Sequence, residues 1–219
     1  MRVACLHTAE SNIEIFGAAA RQLGLPDDAL IHEVRADLLD AVEMAHSLSP
    51  NVERQTVDVL LRLAGHADAV LLTCSTLGIC AGAASVVAGV PVLRVDASLA
   101  EDATRGPGNV VVLCATETTV QTTATIFNEA AKQSAAEVEI RLVEGAWALF
   151  KLGEKFRYLA AIADAAEQAY ADGASVVALA QASMAPAADL ITGTPRPLTS
   201  PAAGLAATMR AIGYAQRCP

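Results

Sequence analysis

A chain of 219 residues, 53% of them hydrophobic, can bury a sizeable core, and at roughly 150 residues per domain it suits one large domain or two small ones. Its net charge of −9, from 24 acidic and 15 basic residues without a basic cluster, argues against a nucleic-acid partner. Charges or glycines interrupt every apolar run before the roughly 18 residues of a membrane span, so no membrane partner is expected. The five cysteines, at positions 5, 74, 80, 114 and 218, are odd in number and include no Cys-x-x-Cys pair. That spacing argues against a disulfide framework and a structural zinc site, and for a reduced, cytoplasmic protein.

The opening Met1-Arg-Val-Ala-Cys-Leu-His7 turns polar too soon for a secretory leader and reads as a first strand near residues 2–7. A helix near 12–23, a strand near 29–35 and a helix near 51–65 follow. Next come a strand near 68–74, a helix near 77–88 and a strand near 91–95. The polar, glycine-punctuated segment 100–109 is the best internal boundary. A second series has strands near 109–115, 137–143 and 175–180, with helices near 117–133, 154–172 and 184–191. The Pro- and Thr-rich segment 192–201 reads as a crossover, and a last helix near 202–216 returns to the first half. The expected domains are therefore 1–100 with 202–219, and 101–201.

This alternation predicts an α/β fold of two pseudo-symmetric parallel-sheet halves, each three-layered and flavodoxin-like, with a cleft between them. In open sheets of this kind, ligands bind beyond the carboxyl ends of the strands. Two such ends carry small polar residues: Cys74-Ser75-Thr76 in the first half and Gln181-Ala182-Ser183 in the second.

Cys74 closes the run Asp68-Ala-Val-Leu-Leu-Thr-Cys-Ser-Thr-Leu-Gly78. A thiol where a buried strand gives way to a helix meets unpaired backbone N–H groups and the positive end of the helix dipole, and both favour thiolate. The plain alternative is a small buried hydrophobe, the ordinary state of a free cysteine. Ser75 and Thr76 offer hydroxyl and N–H groups to an anionic oxygen, and Thr116 and Thr119 do so at the helix beginning near 117. Each also fits ordinary helix capping.

Three passages together resemble the aspartate/glutamate racemase superfamily, which includes hydantoin racemases, maleate isomerases and arylmalonate decarboxylases. They are Leu72-Thr-Cys-Ser-Thr76, Val111-Val-Leu-Cys-Ala-Thr-Glu-Thr-Thr-Val120 and Ala178-Leu-Ala-Gln-Ala-Ser-Met184. The resemblance implies a cofactor- and metal-independent enzyme moving a proton at the carbon next to a carboxylate or carbonyl of a small acid. In that family two cysteines act on opposite faces of the carbon. Here the resemblance assigns Cys74 to the first position, whereas Gln181 stands at the second and has no titratable proton. Chemistry with one thiol, decarboxylase-like, is thus an alternative to racemisation or isomerisation. A non-catalytic protein that binds or senses small acids is the reading outside enzymology.

In a doubly wound order the first and third strands are neighbours, which would bring His7 or Glu10 towards Cys74 as a catalytic helper. Ser11 or Asn12 starts the first helix, and Asn12, Gln181 and Ala182 join Ser75, Thr76, Thr116 and Thr119 as expected substrate-binding positions. Arg35 either clamps a carboxylate or pairs with Glu33 or Asp37. His32, His46 and His66 lack the helical spacing of a metal site. Trp147 and Phe150 read as core or as a lid. No Gly-x-Gly-x-x-Gly or Walker loop is present, which disfavours nucleotide cofactors. Gly78 and Gly82 are explained by close helix–sheet packing. A homo-oligomer fits a fold of this kind.

Overall fold

The computed structural model describes residues 1–193 and 195–214; Cys218 and the end of the expected last helix, 215–216, lie outside the described residues. The chain divides into two compact units, Met1–Val95 with the segment from Gly204 onward, and Asp96–Ala203.

The first unit is built on β1 (Val3–His7), β2 (Leu30–Val34), β3 (Ala69–Leu72) and β4 (Val92–Arg94). They form a parallel sheet in the order β2-β1-β3-β4, with Leu6 of β1 paired to Leu72 of β3 and Leu72 to Arg94 of β4. β1 and β3 are interior strands of uninterrupted buried residues, as parallel strands covered on both faces must be. One face packs on α2 (Ala36–Ala45), α3 (Pro50–Ala64) and α4 (Ile79–Ser85) through Leu38, Leu60, Leu63 and Ala84. α3 shows why the sequence forms this layer. Ser49 caps it by accepting from Val52 N at 3.3 Å, and Pro50 opens its first turn. Val52, Thr56, Val59, Leu60 and Leu63 then recur at helical spacing on its buried face. Each fully buried leucine contributes about 1.5–3 kcal/mol. The opposite sheet face meets α1 (Ser11–Gln22), through Phe16, and α9 (Ser200–Ala211). There Gly204 permits close approach: a Cβ at this position would stand 3.1 Å from the Leu71 side chain and 2.8 Å from that of Val95.

The second unit repeats the plan with β5 (Gly108–Cys114), β6 (Ala136–Leu142), β7 (Val176–Leu179) and β8 (Leu198–Thr199), in the order β6-β5-β7-β8. α7 (Ala146–Lys151) and α8 (Lys155–Ala171) cover one face, with Tyr158 and Ile162 buried. α5 (Val95–Ala103) and α6 (Glu117–Ala131) cover the other through Leu99 and Phe127. Two parallel sheets with the same strand order are the expected pseudo-symmetric halves.

Several elements depart from the sequence reading. The segment expected to be a polar boundary is helical up to Ala103, because Leu99, Ala100 and Ala103 form a buried stripe while Glu101 faces solvent. The Pro-rich crossover contains β8 and the start of α9. Residues Ala182–Asp189 form a 3-10 segment in place of an α-helix, since Pro186 lacks the N–H that an α-helical ladder requires. The helix expected from residue 77 begins at Ile79, after a turn closed by Gly78 N on Ser75 O at 3.1 Å.

Candidate functional site

Cys74 leaves the carboxyl end of β3 and begins that turn. It is 8% exposed, whereas Cys5, Cys80 and Cys114 are fully enclosed, so among the described cysteines it alone keeps surface. Ser75 is half-buried and Thr76 exposed. Among the described residues none accepts from the backbone N–H of Ser75, Thr76 or Leu77, which leaves a short row of donors directly after Cys74 in the chain. The helix terminus expected at the thiol lies further along the chain. The turn's own N–H groups follow the thiol directly, while the helix starts five residues later and has only seven residues.

Arg94 adds a full charge. Its guanidinium lies against Gly78, where a Cβ would stand 2.2 Å from Nη2 and 2.4 Å from Cζ. Gly78 therefore makes room for a cation, which corrects the reading of helix–sheet packing. Sequence reasoning passed over Arg94. The signal was available in the parallel register, which sets the end of β4 beside the end of β3.

His7 is buried, and both of its ring nitrogens are engaged by other residues. Its Nδ1 lies 2.8 Å from Thr73 Oγ1, and its Nε2 lies 2.9 Å from His32 Nδ1. Thr73 donates its hydroxyl proton to Leu6 O at 2.9 Å, so Oγ1 accepts from His7 Nδ1–H. That fixes the tautomer: His7 Nε2 carries the lone pair and accepts from His32 Nδ1–H. Burial, and then the neighbouring His32, push the His7 pKa down to about 3, so the ring is neutral at physiological pH. It supplies no imidazolium to Cys74. Glu10 is exposed and precedes α1 without a side-chain cap, while Asn12 is buried in the first turn. Arg35 is held by Asp37 in a bidentate pair at 2.7 and 2.6 Å, the ion-pair alternative foreseen for it.

The second unit gathers Thr116, Thr119, Gln181 and Ala182 at the adjacent carboxyl ends of β5 and β7. Gln181 Oε1 accepts from Ala115 N at 2.7 Å, and Gln181 Nε2 donates to Thr119 Oγ1 at 2.8 Å. Thr119 in turn donates to Thr116 O at 2.9 Å. Thr116 is the N-cap of α6 without using its hydroxyl for capping; that hydroxyl meets Thr118 Oγ1 at 2.9 Å. Gln181 also hydrogen-bonds the buried Cys114, whose thiol pKa burial raises. Ala182, half-buried, opens the 3-10 segment. Two residues past Gln181, Ser183 meets Tyr158 Oη at 2.8 Å, and burial pushes that phenol up to about 12 despite the hydrogen bond. This pair also escaped the sequence reading.

No family model matches the chain, and no curated protein matches it by sequence. Solved structures do. An aspartate racemase homologue from Pyrococcus horikoshii is similar with a TM-score of 0.66 at 13% identity, over 97% of this chain and 99% of that one. Allantoin racemase from Pseudomonas fluorescens gives 0.70 at 17% identity, over 100% and 98%. A glutamate racemase from Bacillus anthracis gives 0.60 at 13% identity, over 97% and 83%. The class thus defined is that of two-unit parallel α/β proteins. More particularly, this chain has the fold of the aspartate/glutamate/hydantoin racemase superfamily. No described helix is long and apolar enough to cross a membrane.

Proposed function

We propose that this protein is a cofactor-independent enzyme in which Cys74 moves a proton at the carbon next to a carboxylate or carbonyl of a small acid. The observation that carries the reading is local to the first unit. Cys74, which keeps a small share of its surface, is followed by the N–H groups of Ser75, Thr76 and Leu77, unpaired among the described residues, with the Arg94 guanidinium against Gly78. Removing a proton next to a carbonyl puts negative charge on the carbonyl oxygen. Donors already in place for that charge lower the barrier without reorganising. The thiolate is the form that takes up the proton. Fold neighbours are named as racemases of aspartate, allantoin and glutamate, compounds that share an acidic C–H beside a carbonyl carbon.

Within this class, the engagement of Gln181 favours a one-thiol reaction. Its amide oxygen and nitrogen are both committed to Ala115 and Thr119, and it has no proton to exchange. Proton transfer by Cys74 alone gives isotope exchange, or protonation after loss of carbon dioxide, from a single side. Incubation with a panel of small α-substituted acids and hydantoins in deuterated water, followed by NMR, tests the proposal. Deuterium incorporation or decarboxylation lost in Cys74→Ser supports it. Tight binding of an acid with neither reaction would instead favour a binding protein.

A further inference from the structure

The first sheet holds a second cluster of chemically active side chains, on the face covered by α1. Cys5 and His7 are two apart on β1 and so point the same way, and the register sets His32 of β2 opposite Cys5. One ligating atom from each of the three lies within 4.8 Å of the other two. Cys5 and His7 are fully enclosed, while His32 is half-buried on the edge strand, which gives an ion a route in from the sheet edge.

We propose that Cys5, His7 and His32 form a three-coordinate binding site for a soft monovalent metal ion, of the cuprous class. This site is separate from the Cys74 turn and does not depend on the function proposed for it. Three observations converge. First, His7 is oriented as metal-binding histidines are: its Nδ1–H is held by Thr73, and its Nε2 lone pair points at His32 Nδ1. Second, the donors stand on paired strands and not on loops, and Phe16 packs on the His7 ring at 5.1 Å between centroids. Third, charge selects the ion. One thiolate and two neutral imidazoles make a neutral centre with a monovalent ion, but leave a buried positive charge with a divalent one. Among the described residues no carboxylate joins the cluster to offset that charge; Glu33, next along β2, pairs with Arg62. Thiolate with imidazole is a donor set suited to a soft, low-coordinate ion.

Binding balances simply. The ion enters without change of oxidation state, and Cys5 gives up its thiol proton to solvent. The His32 proton passes from Nδ1 to Nε2, so one proton is released for each ion bound. Metal–nitrogen bonds of about 2.0 Å at near-trigonal angles set two imidazole nitrogens about 3.5 Å apart. The 2.9 Å contact between His7 and His32 therefore opens by about half an ångström, a shift an edge strand accommodates.

Anaerobic titration of the reduced, metal-free full chain with Cu(I) against a chromophoric cuprous chelator tests this. The wild type is expected to withdraw one equivalent, with copper K-edge absorption showing one sulfur and two nitrogens. His32→Ala, a change at the half-exposed edge, is expected to weaken uptake at least a hundredfold while the thermal unfolding of the apoprotein stays close to wild type. Cys5→Ala is expected to do the same if it folds; if it does not, His32→Ala decides. Cys74→Ser and Cys218→Ser are expected to keep the equivalent. Undiminished uptake by His32→Ala, uptake that follows Cys74 or Cys218, a sulfur-only copper signature, or preference for zinc would overturn the assignment.

Discussion

Gln181 donates from Nε2 to Thr119 Oγ1 at 2.8 Å while its Oε1 accepts from Ala115 N, so one side chain ties the ends of β5 and β7 to the first turn of α6. The residue standing where the resemblance places a second thiol is thus a structural bridge. Gln181→Leu removes both bonds and leaves the Ala115 N–H and the Thr119 hydroxyl without this partner. The expected cost is about 1–3 kcal/mol, read as a lower midpoint in urea unfolding at unchanged slope. An unchanged midpoint would mean that the bridge contributes nothing.

Gly78→Ala probes Arg94. The added Cβ would overlap the guanidinium, so the Arg94 side chain has to move. Stability is expected to stay within about 1 kcal/mol of wild type. KM for an acidic substrate is expected to rise about tenfold or more, because a charge-assisted contact at the turn is lost. Arg94→Met is expected to give the same KM effect.

Thiol chemistry separates Cys74 from its neighbours. Burial pushes the Cys5 thiol up to about 12 and raises those of Cys80 and Cys114, and all three side chains are enclosed. In a Cys218→Ser background, iodoacetamide at pH 8 is expected to label one site quickly in the native protein. Cys74→Ser is expected to abolish that labelling, with the remaining thiols reacting only on unfolding.

Tyr158 gives the second unit an alkaline limit. Its phenol, near 10 when unfolded, is pushed up to about 12 by burial, with Ser183 opposing part of the shift. Above pH 10 the unfolded chain sheds a proton that the folded one retains. The stabilisation is therefore fully present below pH 10 and lost as pH rises towards 12, by about 2–3 kcal/mol in all. Urea unfolding at pH 9 and pH 11 measures it. Tyr158→Phe, which has no phenol to ionise, is expected to reduce the difference between the two pH values.

Much of this architecture was legible in the chain. The buried runs of β1, β3, β5 and β7 and the alternation with helices define two parallel sheets, and both show the repeated strand order. Cys74, Thr116 and Gln181 stood out because each ends or follows such a strand. What escaped lies in side-chain pairings between strands. His7 pointed on paper to Cys74, but alternation turns it to the α1 face, where Thr73 and His32 meet it. Arg94 sits on a three-residue strand, and only the register with β3 brings it to the thiol's turn. The helix beyond Cys74 was expected too early because Ser75–Leu77 read as a first helical turn. In the fold they make an open turn whose N–H groups stay unpaired among the described residues.

The central claim is that the Cys74 sulfur carries the proton, and the most direct measurement is solvent-deuterium exchange at the α-carbon of a turned-over acid, followed by NMR in wild type and Cys74→Ser. A fall of about a hundredfold to ten-thousandfold in Cys74→Ser, at unchanged unfolding midpoint and with configuration retained in the wild-type product, is the expected result. Exchange that persists at the wild-type rate without the thiol would contradict it.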